Sequence, residues 1–143
     1  MTVKTILSAK GADVATIEPS ARLATAVKHL AERNIGALMV TGADRRVVGI
    51  LSERDIVQEL AAEGAAALER PVSEVMTRKV MTCSQSDTIS TLMERMTEGK
   101  FRHLPVIEQG QLVGIVAIGD VVKHRLQEME REQSALRDYI QTA

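Results

Sequence analysis

Two aspartates carry the first chemical signal in this chain. Asp55 ends the run Gly49-Ile50-Leu51-Ser52-Glu53-Arg54-Asp55, and Asp120 ends Gly114-Ile115-Val116-Ala117-Ile118-Gly119-Asp120. Each follows an apolar, strand-like stretch and precedes a stretch with helical periodicity. A carboxylate there sits at the favourable end of a helix dipole, and Ser52-x-x-Asp55 has the spacing of a capping box. In the second copy Ala117 stands where Ser52 stands, so the hydroxyl cap is lost while the carboxylate stays. Arg102 and His103 open a strand, where the guanidinium offers a rigid fork of donors and the imidazole a further one. Their first-copy equivalents are Gly36 and Ala37, so the basic pair occurs once.

These residue types suit recognition by charge and hydrogen bonding rather than bond breaking. His29, His103 and His124 lack metal-ligand spacing such as His-Glu-x-x-His. Cys83 has no base beside it, and a buried strand-end thiol is the expectation. The chain has no Gly-x-Gly-x-x-Gly run, no Walker pattern and no nucleophile elbow. The expectation is a protein that is not an enzyme and binds no metal.

The elements that must position these groups read in order. A lead-in at residues 2–8 precedes a strand at Val14–Ile17, stopped by Pro19. Ser20 is the expected cap of a helix carrying Leu23, Val27, Leu30 and Ala31 on one face. Asn34-Ile35-Gly36 breaks it, strands Ala37–Val40 and Val47–Leu51 follow, and a second helix opens at Ser52. The alanine-rich stretch Ala61–Leu68 reads as linker. The order then repeats, with lead-in Val72–Thr77, strand Val80–Cys83, Ser86 as cap, and a helix bearing Ile89, Leu92, Met93 and Met96. The repeat is checkable in register. At a shift of 66, Val14/Val80, Thr16/Thr82, Ser20/Ser86 and Leu38/Leu104 are identical, and at 65, Gly49/Gly114, Ile50/Ile115 and Asp55/Asp120. A duplicated α+β unit of this length is neither a solenoid nor an array.

Composition narrows the functional classes. The chain of 143 residues is 45% hydrophobic with one Phe, one Tyr and no Trp, so aliphatic side chains and Met fill the core. A net charge of −1 gives no basic field for nucleic acid, and none is expected as a partner. A single cysteine suits a reducing compartment, and no apolar run has the length of a membrane span. A cytoplasmic protein is the expectation. The last segment, Val121–Tyr139, carries Val122, Met129 and Leu136, and Leu126, Gln133 and Ile140, at heptad spacing. This amphipathic C-terminal helix either packs on its own domain or meets a partner subunit.

Gly49–Val57, Arg102-His103-Leu104-Pro105-Val106 and Gly114–Val122 together resemble tandem cystathionine-β-synthase (CBS) domains, the Bateman module, across nearly the whole chain. The resemblance implies an α+β fold of two β-α-β-β-α repeats packed as a pseudo-twofold pair. The repeats are expected at 8–62 and 73–127, with a linker at 63–72 and a helical extension at 128–143. It implies a homodimer, and clefts between repeats that take AMP, ADP, ATP, NAD(H) or S-adenosylmethionine as a regulatory ligand rather than a catalytic cofactor. On this resemblance Asp55 and Asp120 accept from ribose hydroxyls, while Arg102 and His103 reach phosphates, with Ser52 and Arg54 beside them. Thr16 and Thr82 bond ligand or merely their own backbone, and Gly36 and Ala37 let a flat base approach the main chain. The expected asymmetry sets the Asp55 cleft against Arg102 and His103, and the Asp120 cleft against Gly36 and Ala37. The function implied is a sensor signalling to an unidentified regulated protein. The alternative is a scaffold with vestigial clefts, assembled by its last helix.

Overall fold

The apolar runs flanking each turn pair as antiparallel hairpins, and the helices lie against them. In the computed structural model, which describes residues 1–142, the first hairpin joins β2 (Ala37–Thr41) to β3 (Val47–Ser52). Strand β1 (Thr16–Ile17) adds in parallel to β2. The second hairpin joins β4 (His103–Glu108) to β5 (Gln111–Ala117). Its two-residue turn, Gln109-Gly110, has φ of 51° and 78°, which matches the twist of paired strands. Among the described residues six α-helices complete the α+β fold: α1 (Val3–Lys10), α2 (Leu23–Arg33), α3 (Glu53–Glu63), the short α4 (Val72–Val75), α5 (Ile89–Gly99) and α6 (Ile118–Thr142).

The duplication shows in burial. Helix α2 buries Leu23, Ala26 and Leu30, and α5 buries the equivalent Ile89, Leu92 and Met96. Ala26, not Val27 or Ala31, completes the first stripe; Val27 is 36% exposed and Ala31 is exposed as well. Both helices end on a left-handed residue, Asn34 and Lys100.

Some expected boundaries move. Ser20 and Ser86 do not cap; the positions before α2 and α5 are Arg22 and Thr88, and the Thr88 hydroxyl accepts from the Thr91 N–H at 3.1 Å. A turn intervenes after each serine's strand, and in the second repeat Asp87 closes it by accepting from the Ser84 N–H at 2.8 Å. The first strand shrinks to Thr16–Ile17. Its expected counterpart at Val80–Cys83 is reduced to a single parallel bridge from Cys83 to Val106. Met81 and Thr82 are exposed there, so only Cys83, whose N–H reaches Pro105 O at 3.0 Å, is held to the sheet.

Two cores form, and each contains the other repeat's lead-in. The first gathers Leu23, Leu38 and Leu51 with Ala67 and Val72 of the linker and Met76 beyond it. The second gathers Ile89, Leu104 and Val116 with Val3, Ile6 and Leu7 from the start of the chain. Equivalent glycines admit these segments. A Cβ at Gly49 would lie 2.6 Å from Met76 Sδ, and one at Gly114 would lie 2.8 Å from Leu7 Cδ2. The stretch between the repeats is ordered as a 3-10 turn at Gly64–Glu69, and Arg70 pairs with Glu59, Glu63 and Glu74. Helix α6 runs unbroken through residues 127 and 128.

Candidate functional site

Where β3 turns into α3, Ser52 and Asp55 form a complete capping box. The Asp55 N–H donates to Ser52 Oγ at 3.2 Å, and the Ser52 N–H donates to Asp55 Oδ2 at 3.0 Å. This fixes the carboxylate and leaves Oδ1 facing a cleft of ≈ 760 Å³, within the range of small-molecule sites. Oδ1 accepts only a long, exposed bond of 3.3 Å from Thr77 Oγ1.

The opposite wall comes from the second repeat. Lys100 ends α5 in the left-handed region and turns the chain so that Phe101, Arg102 and His103 enter β4 facing the cleft. Lys79, Val80 and Met81, on the exposed segment after α4, close a further side. The cleft therefore has an apolar wall of Ile50, Val80, Met81 and Phe101 and a cationic rim of Arg54, Lys79, Lys100 and Arg102. Among the described residues none of these four cations forms an ion pair. Only Glu53 and Asp55 supply negative charge on the lining. Such a surface attracts an anion carrying an apolar ring.

His103 is half-buried, and burial, reinforced by Lys10 and Arg102, pushes its pKa below the usual imidazole value. The lowered pKa favours the uncharged, hydrogen-bonding imidazole. Asp120 and Glu53 act on it in the opposite sense without reversing the shift.

The second carboxylate is placed differently. Asp120 Oδ2 accepts from the Ala117 N–H at 2.9 Å, so half of a capping box survives without the hydroxyl. Persistence of Asp120 beside Ala117 is thus accounted for structurally, and it does not by itself favour a ligand role. The same oxygen accepts from Lys10 Nζ at 2.7 Å, and Lys10 also donates to Ile115 O at 3.1 Å. Burial pushes the Asp120 pKa up, but Lys10 and the Ala117 N–H outweigh it and hold the carboxyl below its ordinary value.

Of the residues singled out in the sequence, Gly36, Ser52, Arg54, Asp55, Arg102 and His103 share one cleft. Gly36 was expected to face Asp120; it lies with Asp55 because the Glu53 N–H donates to Gly36 O at 3.0 Å, tying it to the start of α3. Ala37 is buried and paired with Ser52, so it lies behind the lining. Thr16 and Thr82 are exposed and do not line this cleft, and Asp120 lies outside it. Sequence reading missed Thr77, Lys79, Lys100 and Phe101. The basic run Lys100–His103 was a usable signal, but Thr77 and Lys79 reach the site through an irregular path without periodicity. Among the described residues no cluster of His, Cys, Asp and Glu has a metal-binding arrangement, and no helix is long and apolar enough to cross a membrane.

A duplicated unit with exchanged lead-ins and a cleft lined by both repeats defines a paired-repeat module. The CBS domain family model matches residues 3–62 and 72–127, and the chain belongs to that family. The crystal structure of the CBS-domain protein ATU1752 from Agrobacterium tumefaciens superposes with a TM-score of 0.83 at 48% identity, covering 87% of this chain and 99% of that one. The CBS domain pair of MJ0100, in complex with 5′-methylthioadenosine and S-adenosyl-L-methionine, superposes with a TM-score of 0.79 at 25% identity, covering 90% and 98%. Among curated relatives, the mitochondrial CBS domain-containing protein CBSX3 of Arabidopsis thaliana is 34% identical over 120 residues. That match covers 81% of this chain and 58% of CBSX3, so the chain spans somewhat over half the length of that relative.

Proposed function

We propose that the chain is a non-catalytic regulatory module that senses an adenine nucleotide in the Asp55 cleft. One observation carries this reading: a preset carboxylate at the start of α3 shares a single cleft with four cations that form no ion pair and with an apolar lining. The adenine lies against Ile50, Val80, Met81 and Phe101. The ribose hydroxyls displace Thr77 from Asp55 Oδ1, and the phosphates meet Arg102 and the neighbouring lysines. The two adenosine compounds in the MJ0100 complex support the nucleoside part. The charge of this cleft supports a polyphosphate or dinucleotide, ADP, ATP or NAD(H), ahead of neutral methylthioadenosine. Because both repeats line the cleft, an occupant binds unequally to arrangements that differ in how the repeats meet, and this is the requirement for a switch read by a partner protein. The module works in the cytoplasm as a homodimer joined through its last helix.

Thermal melts against AMP, ADP, ATP, NAD, NADH, S-adenosylmethionine and methylthioadenosine test the proposal. At ligand near one hundred times its dissociation constant, stabilisation is about 2.7 kcal/mol, a shift of several degrees. The expected order puts polyphosphates first and methylthioadenosine last. Unchanged melts for the whole panel at millimolar ligand would eliminate the sensing role.

A further inference from the structure

Helix α6 presents two unlike faces. Near its start Val121 and His124 are buried against the protein's own core, and Glu128 holds the N-terminal ammonium at 3.0 Å. The other face is bare. Val122, Leu126, Met129, Leu136 and Ile140 are between 43% and 64% exposed, and from Met129 to Thr142 every residue is exposed. With Gln133, the spacing of these six runs 4, 3, 4, 3, 4, the a/d seam of a coiled coil over almost three heptads. In that phase the buried residues fall at c and f, away from the seam, so docking α6 on its own domain leaves the seam free.

We infer that this face pairs with the same face of a second copy, as a parallel, in-register two-stranded coiled coil from Val122 to Ile140. The inference rests on the homodimer reading above and adds its surface, orientation and register. Two features select the occupant. The e positions are Lys123, Glu130 and Arg137, and the g positions Arg125, Glu132 and Tyr139. Parallel pairing sets Arg125 against Glu130 of the second copy and Glu132 against Arg137 of the second copy, both attractive, on both sides of the seam. The antiparallel alignment that keeps the same six layers sets Glu130 on Glu130, Glu132 on Glu132, and Lys123 on Arg137. The second feature is Gln133, the one polar residue of the seam at an a position. In-register parallel pairing faces the two amides toward each other, where they can exchange hydrogen bonds, whereas the antiparallel alignment sets each against Met129. A single polar a residue specifies register in this way. The helix is thus complementary to itself, which points to a second copy rather than an unrelated partner.

The test uses the full chain, with light scattering at tens of micromolar and oxidation of Gln133→Cys. Cys83 is buried, so the wild type serves as the uncrosslinked control. The expected results are a dimer, efficient disulfide capture by Gln133→Cys alone, and at least tenfold weaker dimerisation in Leu136→Lys/Ile140→Lys, whose sites lie far from the core. A monomeric wild type would overturn both the homodimer reading and this inference. A dimer indifferent to the double lysine substitution would overturn the inference alone. So would capture only in a mixture of Leu126→Cys with Leu136→Cys chains, the antiparallel signature.

Discussion

The two aspartates occupy equivalent places at the same turn from strand to helix, yet their surroundings have diverged. At Asp55 the neighbouring strand is closed by backbone: the Ile50 N–H donates to Thr77 O and the Thr77 N–H to Ile50 O, each at 2.9 Å. At the equivalent Ile115, a side chain does the closing, since Lys10 Nζ takes both the Ile115 carbonyl and the Asp120 carboxylate. One carboxylate therefore keeps a weakly engaged oxygen facing a cationic cleft, while the other already holds an ammonium of its own chain. Duplication copied the framework, and the segments arriving from the opposite repeat set the chemistry. An exchanged lead-in can thus specialise one cleft without disturbing the sheet beneath it.

The largest expected effect comes from removing the carboxylate that faces the cations. Asp55→Ala loses charge-assisted hydrogen bonds of about 1.5–3 kcal/mol each, so calorimetry should show nucleotide affinity falling by at least about tenfold. Asp120→Ala should leave that binding event in place. If instead Asp120→Ala removes the tighter event and Asp55→Ala spares it, the assignment of roles is reversed.

The next effect concerns the two equivalent glycines. In Gly49→Ala the new Cβ meets Met76 Sδ and, at 2.9 Å, the Thr77 carbonyl, and backbone yields poorly. Destabilisation of about 1–3 kcal/mol is expected by urea unfolding. At Gly114 the nearest atoms all belong to the Leu7 side chain, which can rotate. Gly114→Ala should cost less, and equal losses would show that Leu7 is as rigid as backbone.

A smaller effect separates the clefts by pH. The fold holds His103 below its ordinary pKa, so between that lowered value and about 6.5 the unfolded chain binds more protons, and folding stability falls as pH falls. A bound phosphate raises the imidazole pKa again, so binding takes up a proton. Nucleotide affinity should therefore increase a few-fold from pH 7.5 to 6, and the increase should vanish in His103→Gln. An affinity in the wild type that does not change with pH would place the phosphates away from His103.

The smallest effect is expected at Lys10. Lys10→Met removes the ammonium that keeps Asp120 ionised, and a carbon-detected NMR titration should show the Asp120 carboxyl moving up in pKa. The stability change should stay below about 1 kcal/mol, because both groups are partly solvated. No movement of the Asp120 titration would mean that the contact is absent in solution.

Much of this was legible in the chain. The register of the repeat fixed both hairpins, and the stripe Ile89–Met96 gave the face of α5, while in α2 only Leu23 and Leu30 of the expected face are buried. Ser52, Asp55, Arg102 and His103, which share the cleft, stood out because their spacing and chemistry are local. What periodicity does not contain is the identity of the surface a buried stripe meets. Val3, Ile6 and Leu7 read as apolar, and nothing in their spacing assigns them to Ile89 and Val116 rather than Leu23 and Leu51. The same gap hid Thr77 and Lys79, which are carried to the site by that exchange. The lowered pKa of His103 was not legible for a related reason, since burial and two neighbouring cations arise only once the chain has folded.

The exchange of lead-ins also orders events in time. Val3, Ile6 and Leu7 leave the ribosome well before their partners in β4 and β5 are made, and the Val3 N–H finds Asp87 O at 2.9 Å on the way. The first repeat can close once Met76 has emerged, while α1 must wait with an apolar face uncovered until the last strand is complete. Contacts of such long sequence separation slow folding and leave the nascent chain exposed to misassociation. Helix α1 is therefore made before the first repeat yet sealed after it, and its apolar face is where a chaperone would have longest access.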